Sequence, residues 1–138
     1  MQLIKPTFHA LRHLAALTAC AALLSTAHAA NPADTLAGFT AQAGTAPVAA
    51  RGQDFFTKTH GREWSCASCH GAVPTQTGKH ASTSKPIGPL APSFNAERFT
   101  DKAKTDKWFR RNCNDVVGRE CTASEKADVL SWLISLKP

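Results

Sequence analysis

The sequence lacks the features that would indicate a membrane protein, a β-sheet protein or a nucleic-acid-binding protein. Beyond its first thirty residues, no apolar run approaches the roughly 20 residues that a transmembrane helix needs. No segment alternates apolar and polar residues as a half-buried strand does, and no internal repeat is present. The basic residues are dispersed and do not form the clusters that favour nucleic acid. These absences favour a small all-α domain without membrane insertion.

Residues 1–29 have the pattern of a cleaved export signal. A basic head with Lys5 and Arg12 precedes an apolar core, and the A-x-A pattern of Ala27-His28-Ala29 forms a cleavage site. We therefore expect the mature protein to be one domain, residues 30–138, located in the periplasm. This domain retains 14 Lys and Arg against 10 Asp and Glu. Such a mildly basic surface suits an acidic protein partner, and it also suits solubility alone.

The spacing of apolar residues predicts four helices and one long irregular loop. The predicted helices cover residues 31–44, 47–61, 101–112 and 123–136. Thr100 and Thr122 are the expected N-caps of the last two, and Thr122 forms a capping box with Glu125. Gly52 would allow the second helix to cross the last one closely. The loop, residues 71–99, is long for a small domain, which indicates that it wraps something large such as a cofactor.

A haem-attachment pattern lies near the middle of the chain. Cys66, Cys69 and His70 form C-x-x-C-H, in which two thiols form thioethers to haem and the adjacent imidazole binds the iron. A thioredoxin-like dithiol would need a βαβ context, and a zinc site would need two further ligands nearby. The sequence therefore predicts one covalent haem c, attached through Cys66 and Cys69.

The segment IGPLAP is a candidate for the surroundings of His70. A proximal imidazole usually donates the N–H of its second ring nitrogen to a carbonyl oxygen. Pro89 offers a carbonyl and has no N–H of its own, and Leu90 beside it can cover the ring. The simpler interpretation is that Pro89 only stiffens a turn.

The other side of the iron cannot be occupied by methionine. The only methionine is Met1, which leaves with the signal, so the methionine ligand of ordinary electron-transfer cytochromes is excluded by composition. The candidates are His60, His80, a lysine, an amide oxygen or an open position. The choice between them decides the function.

A second cysteine pair lies near the C-terminus. Of five cysteines, Cys20 leaves with the signal, and Cys113 and Cys121 are close enough in sequence for a local disulfide that joins one helix to the next. Such a bridge could serve stability alone, at about 2–3 kcal/mol. It could also fix Asn112 or Asn114 over the iron. Side chains two residues apart on a helix point in directions that differ by about 200°. Only one of these two asparagines can therefore face inward.

The motifs CASCHG, SKPIGPLAPS, RFTD, RNCNDVVGREC and TASEKADVLSWL resemble the sphaeroides haem protein family of c-type cytochromes over nearly the whole mature chain. The resemblance implies a class I cytochrome c-like fold and a Cys113–Cys121 disulfide. It also implies that Asn112, immediately before the first disulfide cysteine, is the distal ligand of ferric iron. The redox partners that it implies are a dihaem cytochrome c and a membrane cytochrome b.

Two functions follow from these candidates. A neutral amide oxygen is a hard, weak-field ligand that suits high-spin ferric iron, so reduction should release Asn112 and open a position for O2, NO or CO. The alternative is a plain electron carrier with a permanent sixth ligand such as His80. An enzyme is less favoured, because no acid or base is anchored beside the iron; His60, His80 and the Arg110–Arg111 pair are the possible proton donors.

Overall fold

The computed structural model describes Gln2 and residues 31–138. Within these residues the elements are α1 (Pro32–Ala43), α2 (Ala49–Thr57), α3 (Ala67–His70), β1 (Gly78–Lys79), β2 (Pro86–Ile87), α4 (Lys102–Val116) and α5 (Ala123–Ser135). The predicted all-α class is confirmed, since helices form nearly all of the regular structure. Apart from Gln2, the predicted export signal lies outside the described residues. In the described part of the chain, no helix is long and apolar enough to cross a bilayer.

Helix α5 is the centre of the fold because it is apolar on two faces. One face packs on Phe56 of α2 through Val129, Trp132 and Leu133. The other face packs on Phe39 of α1 through Ala127 and Leu130. Both sets of contacts are nearly free of solvent, so α1 and α2 are held on opposite sides of α5 by apolar burial.

The crossing of α2 and α5 depends on Gly52, as the sequence predicts. A Cβ atom built on Gly52 would lie 2.0 Å from the main-chain oxygen of Asp128 and 2.6 Å from the main-chain nitrogen of Val129. Only hydrogen fits in that space, so the two helix backbones are in direct contact at this residue.

Helix α4 is attached to both apolar clusters through one ring. Phe109 packs against the Phe56 cluster and the Phe39 cluster, and its ring meets the Phe39 ring edge-on at 5.5 Å between centroids. The start of α4 is also tied to α1, because the Thr35 hydroxyl donates to the carbonyl of Phe99 at 2.8 Å. These contacts fix the orientation of α4 about its own axis.

The boundaries of helices α2 and α4 differ from the sequence prediction. Helix α2 begins at Ala49, two residues after the predicted start. Helix α2 ends at Thr57 and not near Gly61, because the His60 side chain turns back and its Nε2 bonds to the carbonyl of Phe55 at 2.7 Å. Helix α4 is capped by Asp101, which accepts from the main chain of Lys104, and not by Thr100. It also continues beyond residue 112 to Val116.

The predicted start of α5 and the predicted end of α1 are confirmed. The capping box of Thr122 and Glu125 begins α5, with hydrogen bonds in both directions. Gly44 ends α1 in a left-handed conformation, and a second capping box of Asn31 and Asp34 begins that helix. These signals are contained within a few consecutive residues, so tertiary packing does not override them.

The predicted irregular loop, residues 71–99, contains one regular feature that the sequence analysis did not expect. Strands β1 and β2 pair antiparallel, with Gly78 opposite Ile87. Outside the hairpin, the fully buried Pro74, which precedes β1, offers its carbonyl to the main-chain N–H groups of Leu90 and Ala91 at 3.0 and 3.1 Å. The loop is therefore folded back on itself and not extended.

Asp128 provides a stability prediction at the α2–α5 crossing. Its buried carboxylate accepts from the main chain of Val48 and, at 2.7 and 3.0 Å, from two nitrogens of Arg51. We expect Asp128→Asn to lower the free energy of unfolding by about 1.5–3 kcal/mol, because hydrogen bonds to a charged group are lost without a change of shape. Denaturant unfolding of the haem-loaded protein measures this. The control is Asp54→Asn, which removes an exposed ion pair with Lys58 and should cost less than about 1 kcal/mol; equal losses would contradict the prediction.

Candidate haem site

The C-x-x-C-H residues form a single helical turn that rests on the core. Cys66 precedes α3, and Cys69 follows three residues later, so both sulfurs are on one side of the turn. Neither cysteine takes part in the disulfide among the described residues, and both are half-buried. The His70 ring lies 6.1 Å from the Phe56 ring, between centroids, and so the apolar cluster of α2 and α5 supports the imidazole.

Burial sets the protonation of these groups. It raises the pKa of the Cys66 thiol to about 11, with the nearby Cys69 adding to the effect. Burial lowers the pKa of His70 to about 4, and the positive charge of Arg98 lowers it further. The imidazole is therefore neutral at pH 7, the form that binds iron. Among the described residues no three His, Cys, Asp or Glu side chains cluster as a metal site, so two thiols and one imidazole suit covalent haem and not zinc.

The β1–β2 hairpin lies directly on this turn. A Cβ atom on Gly78 would lie 2.2 Å from the carbonyl oxygen of Cys69 and 2.9 Å from the Cα atom of His70. Just after β1, the main-chain N–H of Ala81 donates to Cys69 Sγ at 3.3 Å. The hairpin thus holds Cys69 in place, a contact that the sequence did not indicate because it depends on pairing across the loop.

The Pro89 carbonyl accepts hydrogen bonds from Arg98 and Asn95, and not from His70 as expected. Arg98 Nε donates to it at 2.8 Å and Asn95 Nδ2 at 3.3 Å, and Arg98 Nη2 donates to the carbonyl of Gly88 at 2.7 Å. No hydrogen bond joins the His70 ring to Pro89 in the described part of the chain, so that role stays a prediction. Leu90 packs against the Phe56 cluster, as Cys66 does.

The two candidate histidines are both engaged locally. His60 closes the end of α2, and its ring lies 4.2 Å from the Phe55 ring between centroids. His80 lies in the tip of the hairpin, where its Nδ1 accepts from the main-chain N–H of Thr83 at 3.3 Å. The main-chain N–H of His80 donates to the Lys85 carbonyl at 2.8 Å. Each histidine therefore stabilises the turn in which it lies.

The Cys113–Cys121 disulfide is present, with 5.6 Å between the two Cα atoms and both residues 5% exposed. It fixes the last turns of α4 to the start of α5. At about 100° per residue, Cys113 lies on the same side of α4 as Phe109, which faces the core. Asn112 lies beside that buried side, whereas Asn114 lies about 100° beyond Cys113 and away from Phe109. Both asparagines are exposed.

Asn112 lies in a stripe along α4 with Trp108 one turn before it and Asp115 one turn after it. The three residues are within about 60° of one another around the helix. Trp108 is 44% exposed, which is unusual for so large an apolar side chain. Asp115 lines a cleft of about 490 Å³ together with Trp64, two residues before Cys66. The stripe therefore continues to the segment that leads into α3, the turn with the C-x-x-C-H residues.

The Arg110–Arg111 pair lies on the exposed surface of α4. Arg110 Nε is 3.6 Å from a carboxylate oxygen of Glu120. Arg111 lies over the Trp108 ring at 5.6 Å and 4.0 Å from a carboxylate oxygen of Asp115. Their charges are thus partly balanced by neighbouring carboxylates.

Comparison with known proteins identifies the family. A family model described as a domain of unknown function (DUF1924) matches residues 42–133. The cytochrome c-type protein SHP of Cereibacter sphaeroides is 50% identical over 107 residues, which are 75% of this chain and 82% of that protein. The chain belongs to the sphaeroides haem protein family. As a member of this family it is a c-type cytochrome with one covalently attached haem c.

Solved structures support the sphaeroides haem protein fold. A structure of oxidised SHP, described as an oxygen-binding cytochrome c, is 47% identical with a TM-score of 0.73, and the match covers 79% of this chain and 100% of that chain. The solution structure of cytochrome c'' from Methylophilus methylotrophus, described in terms of haem-ligand detachment, is 35% identical with a TM-score of 0.67. That match covers 78% of this chain and 94% of that chain. The class I cytochrome c-like prediction is confirmed.

Proposed function

We propose that this sphaeroides haem protein binds O2, NO or related diatomic ligands at a position that Asn112 occupies in the oxidised protein and vacates on reduction. Cys66 and Cys69 form the thioethers, and His70 is the proximal ligand. Two relatives support the proposal through their descriptions, one as an oxygen-binding cytochrome c and the other through haem-ligand detachment.

The observation that carries the proposal is the position of Asn112 on α4. The Phe109 contact and the disulfide at Cys113 fix the rotation of the helix, so Asn112 is held beside the buried side. The exposed Trp108 ring one turn away offers the kind of apolar surface that a haem covers. Asn114, on the other side of Cys113, has Arg110 and Arg111 one turn before it on α4.

The chemistry of an amide ligand accounts for the release. When bound, the haem supplies an iron that changes oxidation state and a sixth coordination position. The Asn112 amide oxygen is a hard donor, which prefers the ferric over the ferrous state. The disulfide limits the motion of the α4 backbone, so the release of Asn112 requires only rotation of its side chain. The displaced amide then offers a polar neighbour to the incoming ligand.

The electrons come from a partner, and the family resemblance favours a dihaem cytochrome c and a membrane cytochrome b in this role. A periplasmic location agrees with the export pattern of residues 1–29. The mildly basic surface would steer an acidic partner toward the protein. In this proposal the protein exchanges electrons with a partner and binds a diatomic gas.

The rival function is electron transfer with His80 as a permanent sixth ligand, and CO binding separates the two. We expect ferrous wild-type protein to bind CO readily, and His80→Ala to leave the ferric spectrum and CO binding unchanged, because His80 already bonds within its own turn. Absorption spectra of both proteins, oxidised and then reduced, with and without CO, measure this. The alternative function predicts a different result. The wild-type protein would be low-spin in both oxidation states and would not bind CO, and His80→Ala would open the site.

A further inference from the structure

The β1–β2 hairpin joins the protein surface to the haem-attachment turn through its main chain. At Gly78 the two backbones are in direct contact, since a Cβ atom there would lie 2.2 Å from the carbonyl oxygen of Cys69. Three residues later, the main-chain N–H of Ala81 donates to Cys69 Sγ at 3.3 Å. This sulfur is one of the two proposed thioether atoms. The exposed tip of the hairpin is therefore one hydrogen bond away from the proposed point of haem attachment.

The segment that contains this hairpin carries cations and no acidic residue. All ten Asp and Glu of the chain lie outside residues 64–96. The two lysines of this segment, Lys79 and Lys85, lie on the hairpin and are exposed. The haem adds no negative charge at this edge, because its two carboxylates are on the side of the macrocycle opposite the two thioethers. The hairpin thus places positive charge beside the thioether edge without an acid of its own segment to balance it.

The cations of α4 are in different surroundings. Three of the five lie within 4.0 Å of a carboxylate oxygen, namely Lys102, Arg110 and Arg111. A carboxylate within a Debye length, about 8 Å at physiological salt, cancels much of the field of the cation beside it. An anionic partner is therefore attracted more strongly, charge for charge, to the hairpin than to α4.

We propose that the outer surface of the β1–β2 hairpin, with Lys79 and Lys85, is the docking site of an acidic redox protein. The partner gives up one electron there, and the ferric protein becomes ferrous. The path is short, because the main chain of Ala81 connects this surface to Cys69 Sγ. This inference rests on the electron exchange of the proposed function and not on ligation of the iron by Asn112.

Reversal of the hairpin charge tests this docking site with two electron donors of opposite charge. Flavodoxin hydroquinone is an acidic protein that donates one electron, and the methyl viologen radical is a small cation that also donates one. We expect the ferric Lys79→Glu/Lys85→Glu variant to be reduced by flavodoxin at least about fivefold more slowly than wild type. Its reduction by methyl viologen should be as fast as in wild type or faster. Anaerobic stopped-flow absorption at an ionic strength of about 0.1 M measures both rates, since screening there limits the effect to charges within about 10 Å.

The matched control is Lys126→Glu/Lys137→Glu, which has the same net charge. Lys126 lies over the Phe39 ring of α1, and Lys137 lines a groove with Pro32 at the start of α1. Helix α1 packs on the face of α5 opposite the Phe56 cluster, which contacts Cys66. The control should therefore be reduced by flavodoxin within about twofold of the wild-type rate.

Three results would overturn the proposal. Equal losses of rate in the two double variants would show that only net charge matters. An unchanged flavodoxin rate in Lys79→Glu/Lys85→Glu would exclude docking at the hairpin. If that variant instead lost only binding to phosphatidylglycerol vesicles, the surface would contact a membrane. CO binding by the ferrous forms should be the same in all three proteins, and a wild type that refuses CO would contradict gas binding at the Asn112 position without changing the test of docking.

Discussion

Gly52→Ala is expected to lower the free energy of unfolding by at least about 2 kcal/mol. The added methyl group would meet the main-chain oxygen of Asp128 at 2.0 Å, and a helix backbone cannot yield as a flexible side chain can. Helices α2 and α5 would have to separate, which loosens the packing of Phe56 on α5. Since this cluster also supports Cys66 and the turn of α3, the haem surroundings would be disturbed as well.

Thermal unfolding of the haem-loaded protein measures this effect, and a loss of about 10 °C or more in Tm is expected for a domain of this size. Gly38→Ala is the matched control, because Gly38 lies within α1 and a Cβ atom there has nothing within 4 Å. In a helix that substitution should stabilise by about 0.5–1 kcal/mol. If the two variants had the same Tm, the close crossing at Gly52 would be refuted.

The features predicted correctly from the sequence are those with local causes. The capping box of Thr122 and Glu125 needs only four consecutive residues, and Gly44 ends α1 because glycine adopts a left-handed conformation without strain. The close crossing at Gly52 was also predictable, since a glycine inside an amphipathic helix lowers helix stability and is favoured where a neighbouring backbone needs the space. The Cys113–Cys121 disulfide joins residues only eight apart.

The features that the sequence did not indicate depend on contacts between distant segments. Thr100 and Asp101 are both good capping residues, and the choice of Asp101 follows from the path of the chain at Phe99, which Thr35 of α1 holds. The β1–β2 hairpin pairs only two residues on each strand, too few for a visible alternation. Arg98 looks like a surface residue in the sequence, and its carbonyl partners lie nine and ten residues before it.

Asn112→Ala should strengthen ligand binding by the oxidised protein and leave CO binding by the reduced protein nearly unchanged. The alanine methyl group cannot bind iron, so the ferric variant has no side-chain ligand at position 112. An added ligand then binds without competition from the protein. If the open state is 10% populated or less in wild type, removing that competition strengthens ferric ligand binding by at least about tenfold. Ferrous CO binding should stay within about twofold of wild type, because Asn112 has already been released there.

The most direct test of ligation by Asn112 is the affinity of the ferric protein for azide, compared between wild type, Asn112→Ala and Asn114→Ala. The two asparagines flank the same disulfide cysteine, and both are exposed. Each variant therefore loses one amide side chain, and the two variants differ mainly in the side of α4 from which it is lost. We predict at least about tenfold tighter azide binding in Asn112→Ala and wild-type affinity in Asn114→Ala. Wild-type affinity in Asn112→Ala, or the gain in Asn114→Ala instead, would show that Asn112 does not ligate the iron.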